Sequence, residues 1–169
     1  MKFREETQVL NSWAVLITRY LEGTPEPFVH FRTRDYVAIV AINEGRIALV
    51  KQYRIALDMD IMELPSGLIE PGQSALEAAK RELEEEVGLI PTSEPIALPM
   101  QYIDSARLET RLYPFLFECT REKVGWLEEE GIKRQWVAQE DIENVLNSGL
   151  ISLSSHSGML AYLKMTGAI

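Results

Sequence analysis

The distribution of apolar positions along the chain predicts many strands and few helices. Residues 9–20, "VLNSWAVLITRY", and 28–33, "FVHFRT", are predicted strands on either side of a Gly/Pro turn at 23–27. Four further strands are predicted from apolar runs: "DYVAIVAI" (35–42), "RIALVKQYR" (46–54), "RLYPFLFECT" (111–120) and "KRQWVA" (133–138). A hairpin signal at 43–45 joins the first two of these, and Pro114 predicts a sheet edge or a bulge in the third.

Capping residues and apolar periodicity predict three helices, at about 75–87, 139–147 and 155–166. The first has the clearest boundaries. Ser74 and Glu77 have the spacing of a capping box, and Gly88 occupies the position just past the helix end. Many strands with few helices indicate an α/β fold in which helices cover a mixed sheet.

The helix predicted at 75–87 concentrates negative charge in the stretch "RELEEEVGL". At about 100° per residue, Glu82, Glu85 and Glu86 fall within one arc, where neighbouring alanines leave open space. Like charges at this spacing destabilise a helix by roughly 0.2–0.5 kcal/mol per pair. A solvated acidic face is the ordinary interpretation. The convergence on one face instead favours a site for a hard cation, Mg²⁺ or Mn²⁺, which prefers oxygen ligands.

The composition of the 169-residue chain fits one globular domain and limits its partners. A net charge of −9 argues against a non-specific nucleic-acid surface, but a bridging cation would still allow small phosphorylated substrates. No apolar run approaches the roughly 20 residues of a membrane span, and the first residues do not resemble a signal peptide. Cys119 is the single cysteine, so we expect a core thiol in a protein of the reducing cytoplasm.

Residues 67–89, "GLIEPGQSALEAAKRELEEEVGL", resemble the Nudix box. The resemblance rests on these positions at the family's spacing: Gly67, Arg81, Glu82, Leu83, Glu85, Glu86, Gly88 and Leu89. Gln73 departs from the pattern, since the family has a glutamate there that supports the site from outside the ligand set. The resemblance implies a Nudix α/β/α sandwich with a mixed β-sheet over 36–169. It also implies an N-terminal β-strand extension over 1–35.

The resemblance implies metal-assisted hydrolysis of a nucleoside diphosphate linked to another group. The implied metal ligands are Glu82, Glu85, Glu86 and the backbone carbonyl near Ser66. Glu85 and Arg81 then belong to the catalytic site, where Arg81 would hold the glutamates by ion pairing rather than touch the substrate.

A further carboxylate is expected as general base on the late loop "GWLEEEGIKRQWV". Glu130 matches the family's base best and Glu128 second, with a solvated acidic turn as the alternative. A mobile loop would bring the base to the attacking water when substrate binds. His30 and His156 are isolated and are interpreted as structural, although His156 could face the pocket.

The stretch "LVKQYRIALDMDIMELPSGLIEPG" resembles the ADP-ribose pyrophosphatase branch of the family. That branch implies phosphate contacts for Arg54, with an ordinary surface arginine as the alternative. Glu63 is expected to bind the terminal sugar or to support Arg54. N-terminal strands in this branch exchange between two subunits, which implies a homodimer whose Trp13 stacks on adenine, with Phe28 as a second face. An ordinary interface or core tryptophan is the alternative for Trp13.

The loop after the box, "QYIDSARLETRLY", departs from the branch. Asp104 stands where ADP-ribose enzymes often have proline, whereas Glu109 matches the acidic residue that ends the loop. Asp104, Ser105 and Arg111 could therefore read a different group, although Arg111 could equally be a plain strand residue. ADP-ribose is the leading small-molecule substrate. The alternatives are another sugar nucleotide, such as a GDP-sugar, and a non-catalytic nucleotide-sensing module.

Overall fold

A computed structural model describes residues 2–169, apart from the side chain of residue 121. The chain begins with a small antiparallel sheet of order β1-β2-β3. Its strands are β1 Phe3–Val9, β2 Ala14–Leu21 and β3 Phe28–Thr33. This N-terminal sheet is separate from the large sheet that follows it in the chain.

The single strand predicted at 9–20 is wrong, because Val9 ends β1 and the chain turns before β2 begins. The Asn11 side-chain oxygen accepts hydrogen bonds from the backbone N–H groups of Trp13 and Ala14, each at 2.9 Å, and so fixes this turn. Every residue of β1 is exposed. Its sequence, "FREETQV", does not alternate apolar and polar residues, and the pattern therefore does not predict a strand there. The strand predicted at 28–33 is confirmed as β3.

The second sheet is mixed and forms the middle layer of the molecule. Within residues 2–169 its strands are β4 Tyr36–Asn43, β5 Arg46–Arg54, β6 Met59–Glu63, β7 Ser66–Leu68, β8 Leu89–Pro91, β9 Ile96–Ala97, β10 Gln101–Tyr102, β11 Arg111–Glu122 and β12 Ile132–Ala138. The main path runs β10-β11-β4-β5-β12, with β11 parallel to β4 and the other pairs antiparallel. The predicted strands of this region are confirmed, with small shifts at their ends.

Pro114 does not mark a sheet edge or a bulge, which corrects the prediction for β11. The strand lies between β4 on one side and the short strands β9 and β10 on the other. Pro114 faces the break between those short strands, where its carbonyl accepts the Leu98 N–H at 2.9 Å. The missing N–H of proline is tolerated there because the partner strands are interrupted.

The helices occur where the sequence predicts them, with one difference in geometry. α1 spans Ala75–Glu82 and continues into a π-helical turn at Leu83–Val87, which Gly88 ends with a left-handed φ of 69°. The regular α geometry assumed through residue 87 is therefore wrong for the last turn. The remaining helices are α2 Ile142–Ser148, preceded by a 3₁₀ turn at Gln139–Asp141, and α3 Ser154–Thr166.

Each face of the central sheet packs against its own apolar core, which confirms the α/β/α sandwich. Leu83 and Val87 from the α1 side are fully buried against one face, together with Phe117 of β11. Cys119 lies in the same core, as predicted, and burial raises the pKa of its thiol to about 12. The other face is covered by α2 and α3 through Ile142, Met159, Leu160 and Leu163. Burial of each such side chain contributes about 1.5–3 kcal/mol.

The N-terminal sheet is joined to the rest of the molecule through the loop that follows β10. The Phe31 N–H donates to the Arg107 carbonyl at 2.8 Å, and the Glu109 N–H donates to the Phe31 carbonyl at 2.8 Å. β3 and this loop therefore form a short parallel bridge. Among the described residues, none of the helices combines the length and the apolar character that a membrane span requires.

Candidate active site

A reciprocal pair of hydrogen bonds sets the start of α1. Ser74 Oγ accepts the Glu77 N–H at 3.2 Å, and a Glu77 carboxylate oxygen accepts the Ser74 N–H at 2.8 Å. The predicted capping box is thus present. With its start fixed and its apolar side packed on the sheet, α1 presents the glutamates at its far end to β7.

Glu82 and Glu86 lie against the strand β7 and are almost fully buried. Glu86 accepts a hydrogen bond from the Ser66 backbone N–H at 2.9 Å. The Glu82 carboxylate lies so close to Gly67 that a Cβ there would be 1.7 Å from its oxygen. A side chain at position 67 would therefore displace the Glu82 carboxylate.

Burial shifts the protonation of both carboxyl groups. Desolvation raises the pKa of Glu82 despite the neighbouring Arg81. Desolvation also raises the pKa of Glu86, to about 8. The negative charges of Glu82 and Glu129 add to this rise, whereas the hydrogen bond from the Ser66 N–H opposes it. Two buried carboxyl groups that are costly to ionise together form an oxygen donor set suited to a hard divalent cation, which would stabilise both charged forms.

Arg81 and Glu85 sit at the rim of this site. Arg81 forms ion pairs with Glu82 and Glu85, each at 2.7 Å, and donates to the Leu68 carbonyl at 3.0 Å. Glu85 is half-exposed and held by Arg81, so it does not share one pocket with the two buried carboxylates as the helical wheel predicted. The last turn, which carries Glu85 and Glu86, is π-helical rather than α-helical, so the angles of a regular helical wheel do not apply to it. Among the described residues, no three acidic, histidine or cysteine side chains are already grouped for a metal.

A third buried carboxylate lies beside the site at the end of β6. Glu63 is fully buried and pairs with Arg54 at 2.5 Å. Burial raises the pKa of Glu63, while Arg54 opposes the rise. This contact matches the expectation that Glu63 supports Arg54. His156 is fully buried, accepts the Leu64 N–H at 3.1 Å through Nδ1, and does not face solvent.

The loop before β12 places Glu129, rather than Glu130 or Glu128, next to the buried glutamates. The Glu128 carboxylate accepts the Arg134 backbone N–H at 3.0 Å and so stabilises the turn. The charge of Glu129 raises the pKa of both Glu82 and Glu86, which places it near them. Glu128, Glu129 and Glu130 are all exposed. Three consecutive glutamates look alike in sequence, so alignment back from the strand could not decide which carboxylate lies nearest the buried pair.

Cavities of about 530 and 520 Å³ flank this loop, and Glu129 lines both of them. The first lies between the loop and the π turn, with Glu85 and Trp126 in its wall. The second lies between the loop and the ends of β5 and β6, with Gln52 and Tyr53 in its wall. A ligand that bridges the two cavities would pass the loop carboxylate.

The predicted adenine-stacking residues lie on the N-terminal sheet. Trp13 is half-exposed in the turn between β1 and β2. Phe28, at the start of β3, is partly exposed and lies 5.5 Å from the His30 ring. The described chain does not bring either ring into the cavities beside Glu129.

The loop residues predicted to contact substrate are divided between two roles. Glu109 accepts hydrogen bonds from His30 at 2.7 Å, Arg19 at 2.8 Å and Arg32 at 2.7 Å. It therefore ties the N-terminal sheet to the loop. Asp104 accepts the backbone N–H groups of residues 106 and 107 and shapes the turn. Ser105 and Arg111 line a shallow depression of about 390 Å³.

A family model described as NUDIX domain matches residues 32–152, which is more than half of the chain. The chain belongs to the Nudix family. An ADP-ribose pyrophosphatase of Bacillus subtilis (strain 168) is 30% identical over 138 residues, covering 79% of this chain and 74% of that protein. The methanol dehydrogenase activator of Bacillus methanolicus is 49% identical over 53 residues, so this match spans only 31% of the chain and 29% of that protein. The crystal structure of an ADP compounds hydrolase superposes with a TM-score of 0.79 at 21% identity over 99% of this chain and 96% of that one, which shows a shared fold.

Gln73, the departure from the Nudix box, has a local structural contact. Its side-chain oxygen accepts the Glu70 N–H at 3.1 Å, and its own N–H donates to the Glu70 carbonyl at 3.0 Å. The pair closes the turn that leads from β7 into α1. A glutamate oxygen could accept the same hydrogen bond, so the substitution preserves the turn while removing one charge.

Proposed function

We propose that this Nudix protein hydrolyses the pyrophosphate bond of ADP-ribose, giving AMP and ribose 5-phosphate, with Mg²⁺ or Mn²⁺ bound. The observation that carries the proposal is the pair of buried carboxylates, Glu82 and Glu86, held against Ser66 and Gly67 of the Nudix box. The names of the Bacillus subtilis relative and of the structural neighbour support ADP-containing substrates.

The residues that would hold the metal are Glu82, Glu86 and Glu85, with the backbone at Ser66. When bound, such a cation polarises a phosphoryl oxygen and lowers the pKa of a water ligand. Arg81 would release Glu85 toward the site while continuing to neutralise Glu82. This requires only a side-chain rotation at the half-exposed Glu85.

The protein's own groups carry the remaining steps. Arg54 binds the substrate phosphates, and the buried Glu63 carboxylate fixes its guanidinium in place through an ion pair. Glu129 accepts a proton from the attacking water while the water oxygen forms a bond to one phosphorus atom. The bond from that phosphorus to the bridging oxygen breaks, and the second phosphate leaves with that oxygen.

The N-terminal sheet is proposed to form a homodimer interface, with its strands exchanged between subunits. It exposes an unusual number of large apolar side chains for so small a sheet and its turn: Phe3, Val9, Leu10, Trp13, Phe28, Val29 and Phe31. Clusters of this kind are typical of protein interfaces. Trp13 or Phe28 would then stack on adenine in the partner's site, where the single chain does not bring them.

One feature favours a different sugar nucleotide, such as a GDP-sugar, as the substrate. Asp104 replaces the proline expected in the specificity loop and reshapes the turn beside the depression lined by Ser105 and Arg111.

The test is a panel of sugar nucleotides and dinucleotides incubated with and without Mg²⁺, with products separated by chromatography. The proposal predicts that ADP-ribose is cleaved fastest and only with the metal. Faster cleavage of a GDP-sugar would contradict the substrate assignment, and no cleavage of any compound would contradict the enzymatic assignment.

A further inference from the structure

The loop that carries Glu129 is held against the end of the box helix along its first half. The Lys123 N–H donates to the Gly88 carbonyl at 2.7 Å, and the Lys123 ammonium pairs with Glu84. Three residues later, the Trp126 indole N–H donates to the Glu85 carbonyl at 2.9 Å. The loop and the helix end are therefore connected through both backbone and side chains.

The Trp126 ring also fills the space over Gly88. A Cβ at Gly88 would lie 2.2 Å from the ring, and the left-handed φ of 69° already disfavours other residues there. The glycine at the end of the box thus leaves room for the loop tryptophan. The indole bond satisfies one of the carbonyls that a helix end leaves without an intrahelical partner.

Arg134 completes the contact from the opposite side. Its guanidinium lies 4.6 Å from the Trp126 ring centroid and 5.0 Å from that of Trp136. It also donates to the Val87 carbonyl at 2.6 Å and pairs with Glu122 at 2.9 Å. A planar cation between two aromatic rings favours one ring orientation, so Trp126 is fixed in position.

We propose that Trp126 is a positioning residue, which holds the loop so that Glu129, three residues later, stays in the wall of the cavity that it shares with Glu85. This inference rests on the proposed function, because it assigns Glu129 a catalytic role. It differs from the expectation of a mobile loop, since the first half of the loop is already held against the helix end before substrate binds. Preorganisation of this kind lowers the cost of reaching the reactive geometry.

The test measures hydrolysis of ADP-ribose with Mg²⁺ by W126A, W126F, E129Q and the double variant W126A/E129Q. We expect kcat to fall by about 100-fold in W126A. In W126F, which keeps an aromatic ring but loses the indole N–H donor, kcat should fall by about 10-fold. KM should change by less than about threefold in both variants. W136F is the matched control, because phenylalanine at position 136 on β12 keeps an aromatic ring against Arg134 and so keeps Trp126 in place. It should keep kcat within about twofold of the wild type.

The double variant separates positioning from a general structural effect. If Trp126 acts through Glu129, W126A/E129Q should be no slower than E129Q, because the two changes remove one contribution. Multiplicative losses would overturn the inference while leaving the proposed function intact. An unimpaired E129Q, or a wild type that cleaves nothing, would overturn the catalytic assignment and with it this inference.

Hydrogen exchange gives a readout that does not depend on turnover. W126A should speed exchange of the Lys123 amide by at least about tenfold, since the bond to Gly88 would open with the loop. E129Q should leave that exchange rate unchanged. If the Lys123 amide exchanges as slowly in W126A as in the wild type, the inference is overturned. W126F supplies the same comparison if W126A fails to fold.

Discussion

At the residue scale, the site depends on carboxyl groups placed where they are unfavourable in the absence of a cation. Glu86 is buried, and its pKa is raised to about 8. In the unfolded chain the group would titrate near the ordinary value of about 4.3. The folded state therefore binds a proton that the unfolded state releases between these two pH values. Stability of the metal-free protein falls as pH rises through that window, because deprotonation then favours the unfolded chain.

Glu86→Gln is predicted to separate stability from activity. Turnover of ADP-ribose should fall by about 1,000-fold, because the substitution removes an anionic ligand. In EDTA at pH 8.5 the variant should be more stable than the wild type by about 1–3 kcal/mol, since the buried charge is gone. Denaturant unfolding at pH 5.5 and 8.5 measures this difference, which should shrink at the lower pH. A variant with near-normal turnover would contradict the assignment of Glu86.

Gln73→Glu is predicted to change little. The introduced carboxylate can accept the same Glu70 N–H that the amide oxygen accepts now, so the turn into α1 stays closed. We expect kcat/KM within about threefold of the wild type. Steady-state kinetics on ADP-ribose measure it, and a gain of about 100-fold would instead show that the missing charge limits catalysis.

At the scale of elements, the box helix and β7 form one unit, because Glu82 occupies the space above Gly67. Gly67→Ala would force the carboxylate away, since the new Cβ would overlap it at 1.7 Å. We predict a loss of turnover of about 100-fold and destabilisation by about 1–3 kcal/mol. Activity assays and thermal unfolding measure the two effects.

Gly158→Ala is the matched control for that substitution. Gly158 lies inside α3, and a Cβ there would meet no neighbour within 4 Å among the described residues. Alanine should stabilise the helix by about 0.5–1 kcal/mol and leave turnover unchanged. Equal losses in both variants would contradict the contact between Glu82 and β7.

The sequence predicted the box, its capping residues and the central strands because these depend on local pattern. It failed at β1, whose exposed polar residues carry no alternation, and at the end of α1, where the π turn departs from a regular helix. Its choice of Glu130 as general base stays a prediction. The alternative, Glu129, depends on tertiary contacts such as that of Trp126 with Glu85, which local pattern does not contain. Local pattern identifies which residues form the box, whereas packing decides which carboxylates face each other.

At the scale of the whole molecule, the N-terminal sheet is the proposed dimer interface, and every residue of its strand β1 is exposed. Glu109 ties this sheet to the loop that follows β10 through His30, Arg19 and Arg32. Burial alone would raise the pKa of Glu109, but the hydrogen bonds from His30 and Arg32 lower this pKa below its usual range. The carboxylate therefore stays charged and paired at neutral pH, and a change in the sheet would reach the loop.

A homodimer is predicted in solution, with light scattering giving twice the chain mass of 19.2 kDa. Trp13→Glu should shift the equilibrium toward monomer and raise KM for ADP-ribose by about tenfold, because the exposed ring is removed from the interface and from adenine. A wild-type protein that stays monomeric at high concentration would contradict the exchanged-strand arrangement.

We propose that a metal held by Glu82 and Glu86 enables cleavage of ADP-ribose. AMP release from ADP-ribose is to be followed for the wild type and for Glu86→Gln, each with Mg²⁺ and with EDTA. We expect AMP and ribose 5-phosphate in equal amounts from the wild type with Mg²⁺, and at most a trace of either product under the other three conditions. Equal cleavage in EDTA, or by the Glu86→Gln variant, would contradict it.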